Sequence, residues 1–332
     1  MKLTTRPITT YLSAAILGAA LLSQPALAES WDMSNEFPVT SLHGQVADFF
    51  ANAVEENTGG EIEITAHHGG ALGYKTIDHF DAVGDGAIQL ASSPFSAWLG
   101  IDPIFQLSAL PFVAPTTEDA RRLYDLAKPE YAKVLEANDQ ILLFATPWPP
   151  SGFWGNRTFD SAESLNGVKI RTFDVTATEL LKGIGAFPIK LAWSDVPAQL
   201  STNAIDAVLT SANGGVGVQL WELQSHFTQV NYSSGLQAIH MSRDTWDGLS
   251  EEQRTQVEDA ARAAEAHGWK LAAESIAKDF ATMREHDMVV TESVPAEFTA
   301  FLSDAASPIV NQWVEKIGAR GEAIMSAYRA GN

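Results

Sequence analysis

The sequence predicts a two-lobed α/β protein with mainly parallel sheets and one long helix lying across both lobes. Three observations carry this. Strand-like and helix-like patterns alternate along the chain, the mark of βα units. A proline-rich break, Pro147-Trp148-Pro149-Pro150-Ser151-Gly152, divides that series in two. Finally, Ser250-Glu251-Glu252-Gln253 opens a proline-free, Ala- and Glu-rich run to about Arg284. That is a capping box followed by a helix of roughly 50 Å at 1.5 Å per residue, longer than one small lobe is wide.

The elements follow in order. Leu42, Val46, Phe49, Phe50, Ala53 and Val54 share one helical face, and Gly59-Gly60 ends that helix. Glu61 to Thr65 alternates like a strand, and Ala87 to Ala91 reads as a buried strand. A helix is expected from Thr117 to Ala137 with a break at Pro129, then a strand at Ile141 to Phe144. After the proline-rich crossing, strands are expected at Val168 to Arg171, Phe187 to Leu191 and Ile205 to Leu209. Helices separate them near Thr176 to Gly183 and after Ser194. Strand-like runs recur at Phe227 to Tyr232, Leu236 to Met241 and Met288 to Glu292.

The composition bounds the function. A chain of 332 residues with 45% hydrophobic content is long enough for two cores. With no cysteine there is no disulfide scaffold and no site for a cysteine-borne lipid anchor. The formal charge of −20 disfavours nucleic-acid and anionic-membrane binders and suits a soluble monomer. Lys2 and Arg6, the apolar run Tyr11 to Leu22 and Ala26-Leu27-Ala28 have the order of a secretory signal peptide, so export to a periplasm is expected.

No motif for nucleophilic hydrolysis, phosphate cradling or zinc proteolysis is present. No cofactor and no metal are expected. His67-His68 would point to opposite faces of a strand and could not share one ion. Gly214-Gly215-Val216-Gly217 reads as a flexible turn rather than a phosphate loop.

In α/β lobes ligands bind beyond the carboxyl ends of strands, so strand-end residues are the candidates. Arg171 closes a strand in a chain with few cations, and its planar fork matches a carboxylate. The alternative is a local ion pair with Asp174 or Glu179. Trp193 is either a core plug or a stacking wall. Ser92, Thr210 and Ser211 could each donate to a ligand or cap a neighbouring helix. Trp148, Phe153 and Trp154 around the crossing suggest an apolar cleft wall, or packing of the hinge against a lobe. Phe37 completes the candidate set.

Three stretches resemble the substrate-binding proteins of tripartite ATP-independent periplasmic (TRAP) transporters. They are Leu165-Asn166-Gly167-Val168-Lys169-Ile170-Arg171, Trp193-Ser194-Asp195-Val196 and Leu200-Ser201-Thr202-Asn203-Ala204-Ile205-Asp206. Weaker matches lie at Gly70-Ala71-Leu72-Gly73, at Asn156-Arg157 and around Trp246 to Ser250. Their order and spacing extend the similarity over almost the whole chain after the signal.

The resemblance implies the two-lobed periplasmic binding protein fold, with crossing hinge strands and the long helix spanning both lobes. The expected division is a signal peptide at 1–28, lobe I at 29–149 plus about 237–280, and lobe II at 150–236 plus about 281–332. It implies that Arg171 holds the ligand's carboxylate, that Trp193 packs on the ligand, and that the loaded protein docks on a sodium-driven membrane permease. Sialic-acid-type members carry a second arginine where this chain has Ser151 to Trp154, and some members have asparagine at Thr210. These departures favour an aromatic or small apolar monocarboxylate over a sugar acid. A sensor for a membrane kinase and a secreted enzyme acting on an organic acid are the alternatives.

Overall fold

The computed structural model describes Met1 and residues 28–331. The signal peptide expected at 1–28 lies, apart from Met1 and Ala28, outside the described residues. Lobe I begins with β1 (Glu29–Asn35), α1 (Leu42–Asn57), β2 (Ile62–His67), α2 (His79–Gly84), β3 (Leu90–Pro94), α3 (Thr117–Glu136) and β4 (Gln140–Pro147). The chain crosses into lobe II through β5 (Ser151–Gly155), α4 (Ala162–Leu165), β6 (Lys169–Thr172), α5 (Val175–Gly183), β7 (Phe187–Lys190), α6 (Val196–Ser201), β8 (Ala207–Ser211), α7 (Ala212–Gly217) and β9 (His226–Thr228). It returns in β10 (Leu236–Ser242), α8 (Arg243–Gly248) and α9 (Glu251–Glu285), and ends with β11 (Val289–Thr291), α10 (Ala296–Ile317) and α11 (Ala319–Ala330). Among the described residues no helix is long and apolar enough to cross a membrane.

Each lobe is built on one sheet. The orders are β2-β1-β3-β10-β4 and β11-β9-β5-β8-β6-β7. The sheets are mixed rather than mainly parallel, and the cause is the crossing. Strand β10 arrives from lobe II and pairs antiparallel with both β3 and β4. Strand β5 arrives from lobe I and pairs antiparallel with β8 and β9. The βα units keep their parallel pairs, β1 with β2 and β3, and β6 with β7 and β8. The two crossing segments are bonded to each other. Trp148 N donates to Gly235 O (2.7 Å), Ser151 N to Ser233 O and Tyr232 N to Ser151 O (both 3.0 Å).

Helix α1 starts where the Ser41 hydroxyl accepts from Gly44 N, and it buries Leu42, Val46, Phe50 and Val54. Phe49, counted on that face, is half-exposed and stacks on His267 of α9. Helix α3 runs unbroken through Pro129. Pro129 and Asp125 both face solvent, so water can take the carbonyl that proline leaves free, while Ala127, Tyr131 and Leu135 hold the buried face. The strand expected at Ala87 to Ala91 starts later, at Leu90, and extends to Pro94.

Helix α9 serves both lobes. Val257 to Ala272 pack with Phe50 and Phe144, whereas Phe280 and Met283 pack with Trp154 and Phe227. The tail also divides, where the sequence assigned 281–332 wholly to lobe II. Phe298, Leu302 and Ile309 join the lobe II core beside Ile170 and Leu209. Trp313, Ile317, Ile324 and Tyr328 join the lobe I core beside Phe105 and Tyr124. The apolar face of α10 changes partners halfway along, and Gly318 at positive φ turns the chain into α11.

A buried chain of side chains ties the lobe I sheet together. Gln140 Nε2 donates to Phe80 O, so its oxygen must accept from His240 Nδ1 (2.7 Å). His240 Nε2 then accepts from the Ser93 hydroxyl, which accepts from His79 Nδ1 (both 2.9 Å). His79 Nε2 accepts from Ser34 (3.0 Å). Burial keeps both rings neutral, and that sets the direction of the chain. Burial pushes His79 down to about 4, and likewise lowers His43, on α1, to about 3.

Acid stability follows. The unfolded chain takes up these protons near pH 6.5 and the folded chain does not. Their contribution is therefore complete above pH 6.5 and lost as pH falls towards 4, at up to about 1.4 kcal/mol per unit for each group. Urea unfolding of wild type and His79→Gln should show a stability gap at pH 7.5 that narrows by pH 4.5. A gap that widens on acidification would mean that His79 is charged in the folded chain.

Candidate functional site

A cavity of about 370 Å³ lies between the lobes. It sits at the carboxyl ends of β1, β3, β6 and β8, the position expected for ligands in open α/β sheets. Lobe I contributes Glu36, Phe37 and Thr76, and lobe II contributes Arg171, Phe173 and Trp193. The crossing supplies Trp148, Ser151 and Leu236, and the end of β8 supplies Thr210 and Ser211.

Arg171 is 5% exposed. Its Nε and Nη2 donate to Leu191 O (3.2 and 3.1 Å), and its Nη1 reaches Leu209 O at 3.5 Å. Each terminal nitrogen keeps one N–H beyond these contacts. Among the described residues no carboxylate lies within 4.0 Å of the guanidinium, so the local pair with Asp174 or Glu179 does not form. Asp174 instead accepts from Ala177 N (2.7 Å) at the start of α5, and burial raises its carboxyl to about 7. Burial also lowers Arg171 to about 10, against the opposing pull of Asp174 and Glu36. It remains charged at neutral pH, buried and facing only carbonyls. That arrangement attracts an anion, because a desolvated cation gains most from a charged partner.

The Trp193 ring lies under this cation, 5.2 Å from its centroid to the guanidinium carbon. Trp148 is half-buried, 4.9 Å from Phe37 and 4.1 Å edge-on from His43. Its indole N–H donates to Gln237 Oε1, and Gln237 Nε2 donates to Ser92 Oγ (3.2 and 3.0 Å). Ser92 is thus a buried support beneath the wall, not a lining residue. Ser211 lines the cavity and also caps α7 by accepting from Gly214 N (3.0 Å).

Phe153 and Trp154 do not reach the cleft. Neighbouring residues on a strand face opposite ways, and both faces of this sheet are covered. Phe153 enters one core beside Phe159, and Trp154 the other beside Phe227. Trp154 also accounts for one glycine of α7. A Cβ on Gly215 would lie 2.2 Å from its ring, so glycine is required there by contact and not by a phosphate.

The loop after β2 closes the lobe I side. Glu36 Oε2 accepts from Thr76 N (2.9 Å) and from the Thr76 hydroxyl. Burial alone would raise its carboxyl, but the donors of Thr76 and Ser194 outweigh that and hold it below the ordinary value. Oε1 is buried and has no hydrogen bond of normal geometry. Lys75, from the same loop, meets Asp195 of lobe II at 3.6 Å. Among the described residues no cluster of His, Asp or Glu could hold a metal ion. His67 pairs with Asp32, and His68 with Asp48.

Glu36, Thr76 and Phe173 were missed in the sequence. The signal for Glu36 was available, since it directly follows β1, a strand whose alternation of Trp31 and Met33 was not recognised.

Two α/β lobes joined by crossing strands, with a charged and apolar cleft between them, define a periplasmic binding protein. Residues 33–316 match the family described as bacterial extracellular solute-binding protein, family 7, and the chain belongs to it. It is a periplasmic solute receptor of the TRAP type and not an enzyme. It is 25% identical, over 97% of its length and 96% of the relative's, to the ectoine/5-hydroxyectoine-binding periplasmic protein of Ruegeria pomeroyi. Its fold superposes on DctP7 of Bordetella pertussis, a receptor binding pyroglutamic acid, with TM-score 0.88 and 27% identity over 91% of this chain and 100% of that one. A marine metagenome TRAP protein specific for pyroglutamate gives TM-score 0.86 and 27% identity, over 91% and 99%.

The Lys75–Asp195 pair joins the lobes across the mouth of the cleft. Both side chains are about half exposed, so the pair contributes at most about 1 kcal/mol. Stopped-flow measurements on Lys75→Ala should show ligand release faster by up to about fivefold at low salt, with the difference fading at high salt. A salt-independent change would assign Lys75 to direct ligand contact instead.

Proposed function

We propose that the protein captures a small cyclic monocarboxylate bearing a ring N–H and delivers it to a sodium-driven TRAP permease in the membrane. The carrying observation is the opposition of two buried charges. Arg171 on lobe II has two N–H groups left for a carboxylate, and Glu36 on lobe I lines the same cavity with one buried oxygen, Oε1, that no hydrogen bond of normal geometry engages. A solute spanning them needs an anion at one end and a donor at the other. Phe37, Trp148, Phe173, Trp193 and Leu236 supply an apolar wall between. This departs from the aromatic or small apolar monocarboxylate expected from the sequence by adding one polar donor.

The same features argue against other acids. A dicarboxylate would set its second anion against Glu36. A sugar acid would leave hydroxyls unpaired on the apolar wall, at about 1–3 kcal/mol each. A cavity near 370 Å³ is at the small end of ligand sites, which suits one ring. The pyroglutamate-binding and ectoine-binding relatives support the reading, since both solutes join a carboxylate to a ring N–H.

Calorimetry with pyroglutamate, ectoine, benzoate, succinate and glucuronate tests it. A ring N–H acid should bind most tightly, and tight binding only to succinate or glucuronate would overturn the proposal. Arg171→Ala should cost about 2–5 kcal/mol, or roughly 30- to several-thousand-fold in Kd. Arg171→Lys should also bind clearly more weakly, because a point charge lacks the fork. An Arg171→Ala affinity within about threefold of wild type would remove the anchor role. Glu36→Gln should cost about 1.5–3 kcal/mol with the ring N–H acid, the range for a bond to a charged group, and little with benzoate.

A further inference from the structure

We propose that His68 is a positioning residue for ligand recognition, holding Glu36 and Phe37 in place through Asn35. The proposal rests on Glu36 being the acceptor for the ligand's N–H. The paired histidines of the sequence thereby acquire different roles.

The turn after β2 is closed onto the turn after β1. Gly69 and Gly70 both have positive φ, which lets Gly70 N donate to Asn35 O and Gly69 N donate to Phe37 O (both 3.0 Å). Asn35 is fully buried at the end of β1. Its Oδ1 accepts from Phe37 N at 3.1 Å, which fixes the orientation of the amide. Its Nδ2 therefore points at His68 Nδ1, 3.0 Å away, and that nitrogen must offer its lone pair. The hydrogen of the neutral ring is then on Nε2, and it goes to Asp48 Oδ1 of α1 at 2.8 Å.

A directed chain results, from Asp48 through His68 and Asn35 to the backbone N–H of Phe37. Glu36 sits between the two residues that this chain pins, and it lines the cleft. Loss of the ring acceptor would leave a buried amide N–H unpaired. The amide could then rotate and release Phe37 N, and Glu36 with it. His67 takes no part, because it points to the other side of the strand and pairs with Asp32.

The test uses two ligands of matched shape, pyroglutamate and its lactone analogue 5-oxotetrahydrofuran-2-carboxylate, which lacks the N–H. The readout is the ratio of their dissociation constants, with melting temperature recorded beside it. Wild type should prefer the lactam by about tenfold or more, the value of a hydrogen bond to a charged acceptor. His68→Gln reaches Asp48 but abandons Asn35, and should compress the ratio to about threefold or less. His68→Asn places an oxygen where Nδ1 stood and should restore it. His67→Gln should leave it alone. If His68→Gln does not fold, Asp48→Ala, at a more exposed site, should compress the ratio in the same direction.

A lactam preference that survives in His68→Gln, or in Asp48→Ala where that is the variant measured, overturns the proposal, even if the melting temperature falls. If wild type shows no lactam preference, the reading of Glu36 fails instead. His68 is then judged on the tightest carboxylate of the panel. There, a loss of about tenfold in His68→Gln that His68→Asn rescues supports positioning, and equal affinities overturn it.

Discussion

The structure is organised around one buried cation without a carboxylate partner. Keeping a guanidinium dry costs several kcal/mol unless something neutral satisfies its donors. Here the carbonyls of Leu191 and Leu209 do so, and the Trp193 face adds a further attraction. Leu191 directly follows β7 and Leu209 lies within β8, the strands on either side of β6. The sheet of lobe II is therefore also the holder of the charge. An ion pair with Asp174 would have stabilised the empty protein at the expense of the ligand, and Asp174 is instead committed to the start of α5.

Such a site works only if the lobes meet over it in a defined way. The two crossing segments are bonded to each other, each inserts a strand into the far sheet, and α9 packs on both cores. The crossing segments must therefore bend if the lobes move as two rigid bodies, the general form of hinge closure. Contacts between the lobes such as Lys75–Asp195 are exposed and weak, so they can break and reform without disturbing the cores.

The sequence made the architecture legible where signals are local. The capping box at Ser250, the proline-rich crossing and the strand ending in Arg171 all survive in the structure nearly as read. What failed was information held by distant partners. Ser92 looks like a strand-end donor until it is found buried behind the cleft wall, its oxygen accepting from Gln237, far along the chain. Phe153 and Trp154 look like one aromatic patch until the second face of their sheet is found to be covered. The tail could not be divided between lobes because one continuous apolar face serves both cores. Glu36 was hidden because β1 carries polar residues whose burial depends on distant histidines, Ser34 on the network that runs from His79 through five elements and Asn35 on His68.

One tension remains between the whole molecule and its site. A chain of formal charge −20 is proposed to collect an anion. Screening resolves it. At physiological ionic strength the Debye length is about 8 Å, so carboxylates on the outer faces of either lobe contribute little inside the cleft. The charges that a solute meets at the wall are Lys75, Lys190 and Arg171 against Glu36, and Lys75 is already paired with Asp195. The local balance therefore favours one negative charge. It also orients it, because the buried Arg171 and Glu36 stand on opposite lobes and a solute reversed in the cleft would place its anion on a carboxylate. The cleft, insulated by salt from the acidic exterior, is free to carry the opposite preference.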